Sequence, residues 1–362
     1  MKKIMKKHLY FPALLAAALA GCTSSDVIEE GIQSNAIGFS DVVNKPSRAV
    51  EGNLTNNTFD NFLVYGYYIK PDMATPIQIF NGVTVHKQNG KWSYDGTRYW
   101  VPGYTYNFYA YSCADIALAS DKGLPGMSLF DAIDATKDNR ALIITRFLCD
   151  HDHQHDLVYA ENEDNVAKET GNGEVTFKFN HALCKVKAEF TTDFPAGYKI
   201  TVSNVYLTDF YNLGTFNVGT GGWSNFSTTT DQRGTDQYVH LLDGSGDIEI
   251  GANGKVSTVE TNEAFLIPKL YDINNAENVK LHFTIKVVKD NQTVLERNIN
   301  GTWSPQWNSG NIYTYKVNIS GASTGIQPIV FAAEQSLSGS GTSAWDTTTS
   351  VNMVFGVDTT TK

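Results

Sequence analysis

The sequence contains no HExxH pair, no glycine-rich phosphate loop closed by Gly-Lys-Ser/Thr, and no Gly-x-Ser-x-Gly elbow. Those absences remove the motif-borne zinc-peptidase, nucleotide and α/β-hydrolase sites. Cysteine is scarce: there are four in 362 residues, and none falls in a CxxC or other zinc-ligand spacing. Basic residues are in deficit, with 28 Lys and Arg against 38 Asp and Glu and a formal net charge of -10. No Lys/Arg stripe follows the N-terminal region, which argues against nucleic acid, because phosphate neutralisation needs a basic face. Long apolar runs are missing apart from one at the N-terminus. That one is shorter than the roughly 20 residues needed to span a bilayer.

What is present begins with that run. MKKIMKKH, with four lysines, leads into LYFPALLAAALA and then LAGC. A basic start, an apolar stretch and small residues form the layout of a secretory signal, so residues 1–21 are expected to be a signal peptide. Leu19-Ala20-Gly21-Cys22 has the form of a bacterial lipobox, which makes Cys22 the expected lipidation site. A diacylated cysteine anchors stably where a single chain would not.

After Cys22 a polar, acidic tether precedes AIGFSDVV, a short strand in which Ile37 and Phe39 alternate with small residues. The stretch NKPSRAVEGNLTNNTFDN has no apolar period and reads as a loop holding Arg48. Exposed loops of this kind are preferred nicking sites, and Arg98, Arg140 and Arg233 are among the competing arginines. Strand signals then repeat. FLVYGYYI, IQIFNGVTVHK, KWSYDG and TYNFYAYS are rich in aromatic and β-branched residues and bounded by turn residues. QNGK at Gln88–Lys91 suits a hairpin turn. Leu129–Ile133 is the one short helix expected. The acidic stretch Tyr159–Glu174 is expected at a domain boundary, and strands resume beyond it.

In VTFKFNHALCKVKAEF the apolar parity switches, from Val175, Phe177 and Phe179 to Val186, Ala188 and Phe190. A β-bulge or kink near His181–Cys184 would restore a common inner face. A Ser/Gly/Thr-rich segment precedes a last alternating strand with Val351, Met353, Phe355 and Val357 on one face. Many short strands and almost no helix predict an all-β protein of antiparallel β-sandwiches in two blocks, residues 49–170 and 171–362.

Three features invite a chemical reading. LCDHDHQHDL places His151, His153 and His155 at alternate positions. On a strand these would share one face about 7 Å apart, a spacing that clasps a metal only if the strand bends or a partner adds ligands. A solvated connection into the next strand is the expected reading, with no cofactor. Tyr65, Tyr67, Tyr68, Trp92, Trp100, Tyr104 and Tyr106 could line a sugar platform, but sandwich cores use such residues too. Among the cysteines, Cys184 is expected in the core, and a Cys113–Cys149 disulfide is left open.

Taken in order, IGFS (Ile37–Ser40), SRAV (Ser47–Val50), FLVYGYY (Phe62–Tyr68), YWVPGYTYNFYAYS (Tyr99–Ser112), DLVYA (Asp156–Ala160), VTFKFNHALCKVKAEF (Val175–Phe190), FLIPK (Phe265–Lys269), WNSGNIYTYKVNI (Trp307–Ile319) and AWD (Ala344–Asp346) resemble the fimbrillin family of Bacteroides-type lipoproteins, the Mfa-like pilins of type V pili. The resemblance runs from the lipobox almost to the C-terminus. It departs from the family pattern at Tyr111-Ser112-Cys113 and at Cys184. It implies two tandem transthyretin-like domains, export to the outer membrane as a lipoprotein, and no catalysis. It also implies cleavage by a trypsin-like protease between Arg48 and Ala49, loss of residues 22–48 with the Ile37/Phe39 strand, and refilling of the vacated groove by a strand of another pilin subunit. The C-terminal strand, within residues 340–362, is the expected donor. Two competing classes are an anchored, non-polymerising lipoprotein that binds glycans or host ligands, and a β-sandwich hydrolase with a metal on the histidines.

Overall fold

The computed structural model describes residues 35–43, 59–70, 72–73, 75–113, 128–133, 140–228, 238–242, 247–250, 259–320, 330–337 and 354–357. Cys22, Arg48, Ala49, Val351 and Met353 lie outside them. The first strands are β1 Gly38–Val43, β2 Asn61–Ile69, β3 Ile77–Gln88, β4 Lys91–Tyr94, β5 Thr105–Cys113, β6 Ser128–Ile133, β7 Arg140–Leu148 and β8 Leu157–Val166. Next come β9 Glu174–His181, β10 Cys184–Thr192, β11 Tyr198–Thr208, β12 Leu213–Asn217, β13 Gly222–Ser227, β14 Tyr238–His240 and β15 Ile248–Ile250. The last are β16 Val259–Glu260, β17 Ala264–Leu266, β18 Val279–Lys289, β19 Gln292–Trp303, β20 Ile312–Ser320, β21 Val330–Leu337 and β22 Val354–Val357. Among the described residues the only helical element is a 3-10 turn at Ile273–Asn275. The protein is all-β, as its alternating patterns predict.

A seven-stranded sheet runs in the order β1-β9-β8-β5-β2-β3-β4. It curls until its two ends meet: Tyr94 at the end of β4 packs its ring on Phe39 of β1 at 5.5 Å. The inner face encloses Phe39, Phe62, Phe80, Phe108, Phe177 and their neighbours. The other face, with Leu63, Tyr65, Tyr109 and Tyr111, packs against a four-stranded sheet in the order β13-β12-β7-β6. A third core, including Phe190, Phe283 and Tyr315, lies between the β16-β10-β20-β21 and β14-β11-β18-β19-β22 sheets, a β-sandwich.

Two expectations are corrected. Leu129–Ile133 is not helical: Ser128–Ile133 is strand β6, paired with β7, whose ladder satisfies its backbone groups. The chain does bend near His181, at Leu183, but the bend does not restore a common inner face: Val175, Phe177 and Phe179 enter one core, and Val186, Ala188 and Phe190 another. The chain leaves the seven-stranded sheet at His181, buries Ala182 and Leu183, and enters the sandwich at Cys184. Pairing also runs across the expected division at residue 170, since β12 bonds β7 and β9 bonds β8. The Asn89-Gly90 turn between β3 and β4 has φ of 50° and 78°, the left-handed pair that a two-residue hairpin of this type requires.

Candidate functional site: a slot closed on both sides of the first strand

The segment around Ile37 and Phe39 is held from two directions. On one side β1 runs parallel to β9, pairing Gly38–Val43 with Glu174–Phe179. On the other side it meets the chain that follows β4. Ile37 N–H donates to the Arg98 carbonyl at 2.8 Å, and Trp100 N–H donates to the Asn35 carbonyl at 2.8 Å. The Tyr94 hydroxyl donates to the Ile37 carbonyl at 2.7 Å and accepts from Arg98 N–H at 3.2 Å. Arg98 is itself fixed. Its Nε donates to the Ile79 carbonyl at 2.6 Å, and its guanidinium lies 4.6 Å from the Phe80 ring centre. The indole of Trp100 donates to the Gly173 carbonyl at 3.0 Å, tying this clasp to the approach of β9.

The slot is deep and aromatic. Ile37 is 1% exposed and Phe39 3%. The Phe39 ring touches five others: Phe80 at 5.3 Å, Tyr94 at 5.5 Å, Phe177 at 5.7 Å, Phe108 at 6.0 Å and Phe62 at 6.3 Å. All but the stacked Phe177 meet it edge-on, the geometry that ring quadrupoles favour. Gly66 makes this box possible, because a Cβ there would come within 2.8 Å of Phe108 and 2.9 Å of Phe80. Burying Ile37 and Phe39 contributes roughly 1.5–3 kcal/mol each. So the first strand completes the core, yet it sits at the edge of the sheet path.

In the sandwich, β22 is also an edge strand. It pairs antiparallel with β19, placing Val354, Phe355, Gly356 and Val357 opposite Thr302, Gly301, Asn300 and Ile299. Residues 354–357 of the expected donor segment therefore have strand conformation on the subunit's own sandwich.

The histidines do not form a strand face. They lie in the connection between β7 and β8. His151 stacks on Tyr238 at 5.2 Å and meets His240 edge-on at 4.9 Å. His153 Nδ1 lies 2.6 Å from the Asp150 carboxylate, which also accepts the backbone N–H groups of Asp152 and His153. His155 is half-buried beside Asp156. Among the described residues no three His, Cys, Asp or Glu side chains are placed to hold a metal ion. Gln154 docks the loop by bonding both backbone groups of Phe265. Asp156 is buried and lies 3.0 Å from His181 Nδ1, a partner that no local pattern announces.

The bond to Asp150 holds the His153 imidazolium above its ordinary pKa. A raised folded-state pKa stabilises fully below the unfolded value, near 6.5, and that contribution is lost as pH rises through the folded pKa. Asp150→Asn should therefore lower the His153 pKa, read by NMR, and destabilise the protein by under about 1 kcal/mol at pH 6. Parent and variant should converge on this term in alkali. A destabilisation that grows with pH contradicts this.

The aromatic residues proposed for a sugar platform are mostly core. Tyr65, Tyr67, Trp100 and Tyr106 are buried, and Tyr68, Trp92 and Tyr104 pack half-buried against the inner core. Cys113, Cys149 and Cys184 are buried, and no disulfide joins Cys113 to Cys149. Burial pushes the Cys149 and Cys184 thiols up, which keeps them protonated and inert. A cleft of about 450 Å³ opens elsewhere, lined by Trp223, Phe226, Lys269, Leu270, Trp307 and Asn308 among others. Its lysine lies 2.6 Å from Glu277, whose carboxyl is held below its usual pKa by that bond.

The sequence model of the family described as Fimbrillin-like matches residues 47–334. No protein with a curated description matches the chain. Among solved structures, a fimbrial protein from Bacteroides vulgatus aligns with TM-score 0.60 at 17% identity, over 84% of this chain and 99% of its own. A proposed cell adhesion protein from Bacteroides ovatus aligns with TM-score 0.42 at 16% identity, over 82% and 95%. Another, from Bacteroides eggerthii, gives 0.42 at 12% identity, over 86% and 94%.

Proposed function

Because the chain belongs to the Fimbrillin-like family, we propose that it is a surface pilin subunit assembled by exchange of its first strand. The observation that carries this reading is the slot: β1 is an edge strand paired with β9, yet Phe39 fills a core box of five rings, and the residues leading into β1, Asn35 and Ile37, are bonded on the opposite side to Trp100 and Arg98. A strand removed from such a place leaves apolar walls and unpaired backbone groups, a template for an added strand. Arg48 follows β1 by only a few residues in a Pro/Asn/Gly-rich stretch, so cleavage there would free it. Arg98 is a poor alternative, since its backbone and guanidinium are both engaged in the clasp.

In this reading the precursor is exported and lipidated at Cys22, held at the outer membrane, and trimmed by a trypsin-like protease. Residues 351–357 of a neighbouring subunit then fill the slot. The subunit needs no cofactor and has no catalytic role. Lipidation is tested by Cys22→Ala, which should lose fatty-acid label and membrane sedimentation; retention of both refutes it. Exchange is tested by trimming purified precursor with a trypsin-like protease. Oligomer ladders that survive mild detergent are expected, and a trimmed chain that stays monomeric is the contrary result. The second reading is an anchored lipoprotein that binds glycans without polymerising. The open cleft beside Trp223 and Phe226 favours it, and it requires that Cys22 stay on the mature chain.

A further inference from the structure

Resting on the exchange reading above, we propose that the incoming strand enters the slot in the direction opposite to β1, with Phe355 in the ring box, Gly356 at the place of Gly38 and Val357 at the place of Ile37. The slot states its own requirements. Position 39 is walled by five rings and takes an aromatic side chain. Position 37 is buried and takes an aliphatic one. Position 38 favours a small residue, because a Cβ there would lie 3.0 Å from Cγ of the exposed Glu174 side chain, which would have to shift to admit it.

The C-terminal segment carries one phenylalanine after residue 331, Phe355, so that residue marks the register. Read forwards, Met353-Val354-Phe355 would place a valine at the glycine position. Read backwards, Val357-Gly356-Phe355 reproduces Ile37-Gly38-Phe39. The backward register continues inward with Met353 at position 41 and Val351 at position 43. The native strand has Asp41 at that parity, so the incoming strand is the more apolar filler.

Backbone pairing points the same way. β1 is parallel to β9 over six residues, whereas the reversed strand would be antiparallel to it. Antiparallel pairing is slightly more stable per residue. The opposite change on the clasp side involves a single bridge, Ala36 with Tyr99.

The register is read by disulfide trapping in the full-length chain. Ser40 stands opposite Thr176 across the β1–β9 ladder, and their hydroxyls are 2.9 Å apart. Reversed insertion brings Val354 to that place; forward insertion brings Gly356. Thr176→Cys is combined with Val354→Cys in one precursor and with Gly356→Cys in another. Each is trimmed with a trypsin-like protease, assembled and oxidised. The Val354 pair should give interchain disulfides at least about 10-fold more efficiently than the Gly356 pair. The reverse preference overturns the orientation while leaving strand exchange intact. If neither variant nor the parent assembles, exchange itself fails. Phe355→Ala should weaken assembly about 100-fold or more, as expected for emptying an aromatic site. Circular dichroism of the uncut variant, which should match the parent, checks its fold. Assembly of Phe355→Ala at the parental level overturns the assignment of that residue to the box.

Discussion

Precursor carrying Arg48→Ala is expected to remain monomeric after treatment with a trypsin-like protease, under conditions in which the parent forms detergent-resistant ladders. The physical reason is tethering. While residues 38–43 are covalently joined to the body, the first strand competes for its slot at an effective concentration in the millimolar range. No strand from another molecule matches that at ordinary protein concentrations. Cleavage after Arg48 makes the native strand a separate peptide that can be lost to solvent. The slot then presents a six-residue β9 edge and the ring box around position 39 to any apolar strand. Deleting Val351–Lys362 should abolish the ladder as completely as Arg48→Ala, but from the donor side, so its trimmed subunit should still accept strands from parent molecules. If both variants assemble like the parent, exchange through these segments is wrong and the anchored binding lipoprotein is the better account.

Phe39→Ala should destabilise the uncut precursor by about 3 kcal/mol, read from its denaturant midpoint, because it empties a fully lined aromatic site. The same variant should nevertheless assemble normally once trimmed, because the altered strand is discarded. Phe177→Ala, on the β9 wall of the box, should damage both precursor stability and assembly. This contrast separates a temporary occupant from a permanent piece of core. Were the first strand permanent, Phe39→Ala would impair the mature protein in proportion to the precursor.

The local parts of this architecture were legible in the sequence. β9 alternates exposed and buried residues as its odd-numbered apolar positions predict, and Asn89-Gly90 forms the expected hairpin turn. Ile37 and Phe39 face the core as their spacing requires. What was not legible is non-local. Period-two patterning says which face a strand buries but not which strand lies beside it. Hence the pairing of β7 with β12, and the clasp formed by Tyr94, Arg98 and Trp100, had no local signal. The apolar residues of Leu129–Ile133 also fit a helical turn, and only the β7 ladder decides between helix and strand. The histidines drew attention by density. Their contacts, to Asp150, Tyr238 and His240, come partly from strands far away in the chain.

The most direct measurement is the N-terminal residue of the protein purified from the cell surface. Strand exchange driven by cleavage predicts Ala49 as the first residue of the assembled chain, with the lipid and the Ile37/Phe39 strand gone. A surface protein that still begins at lipid-modified Cys22 would contradict it.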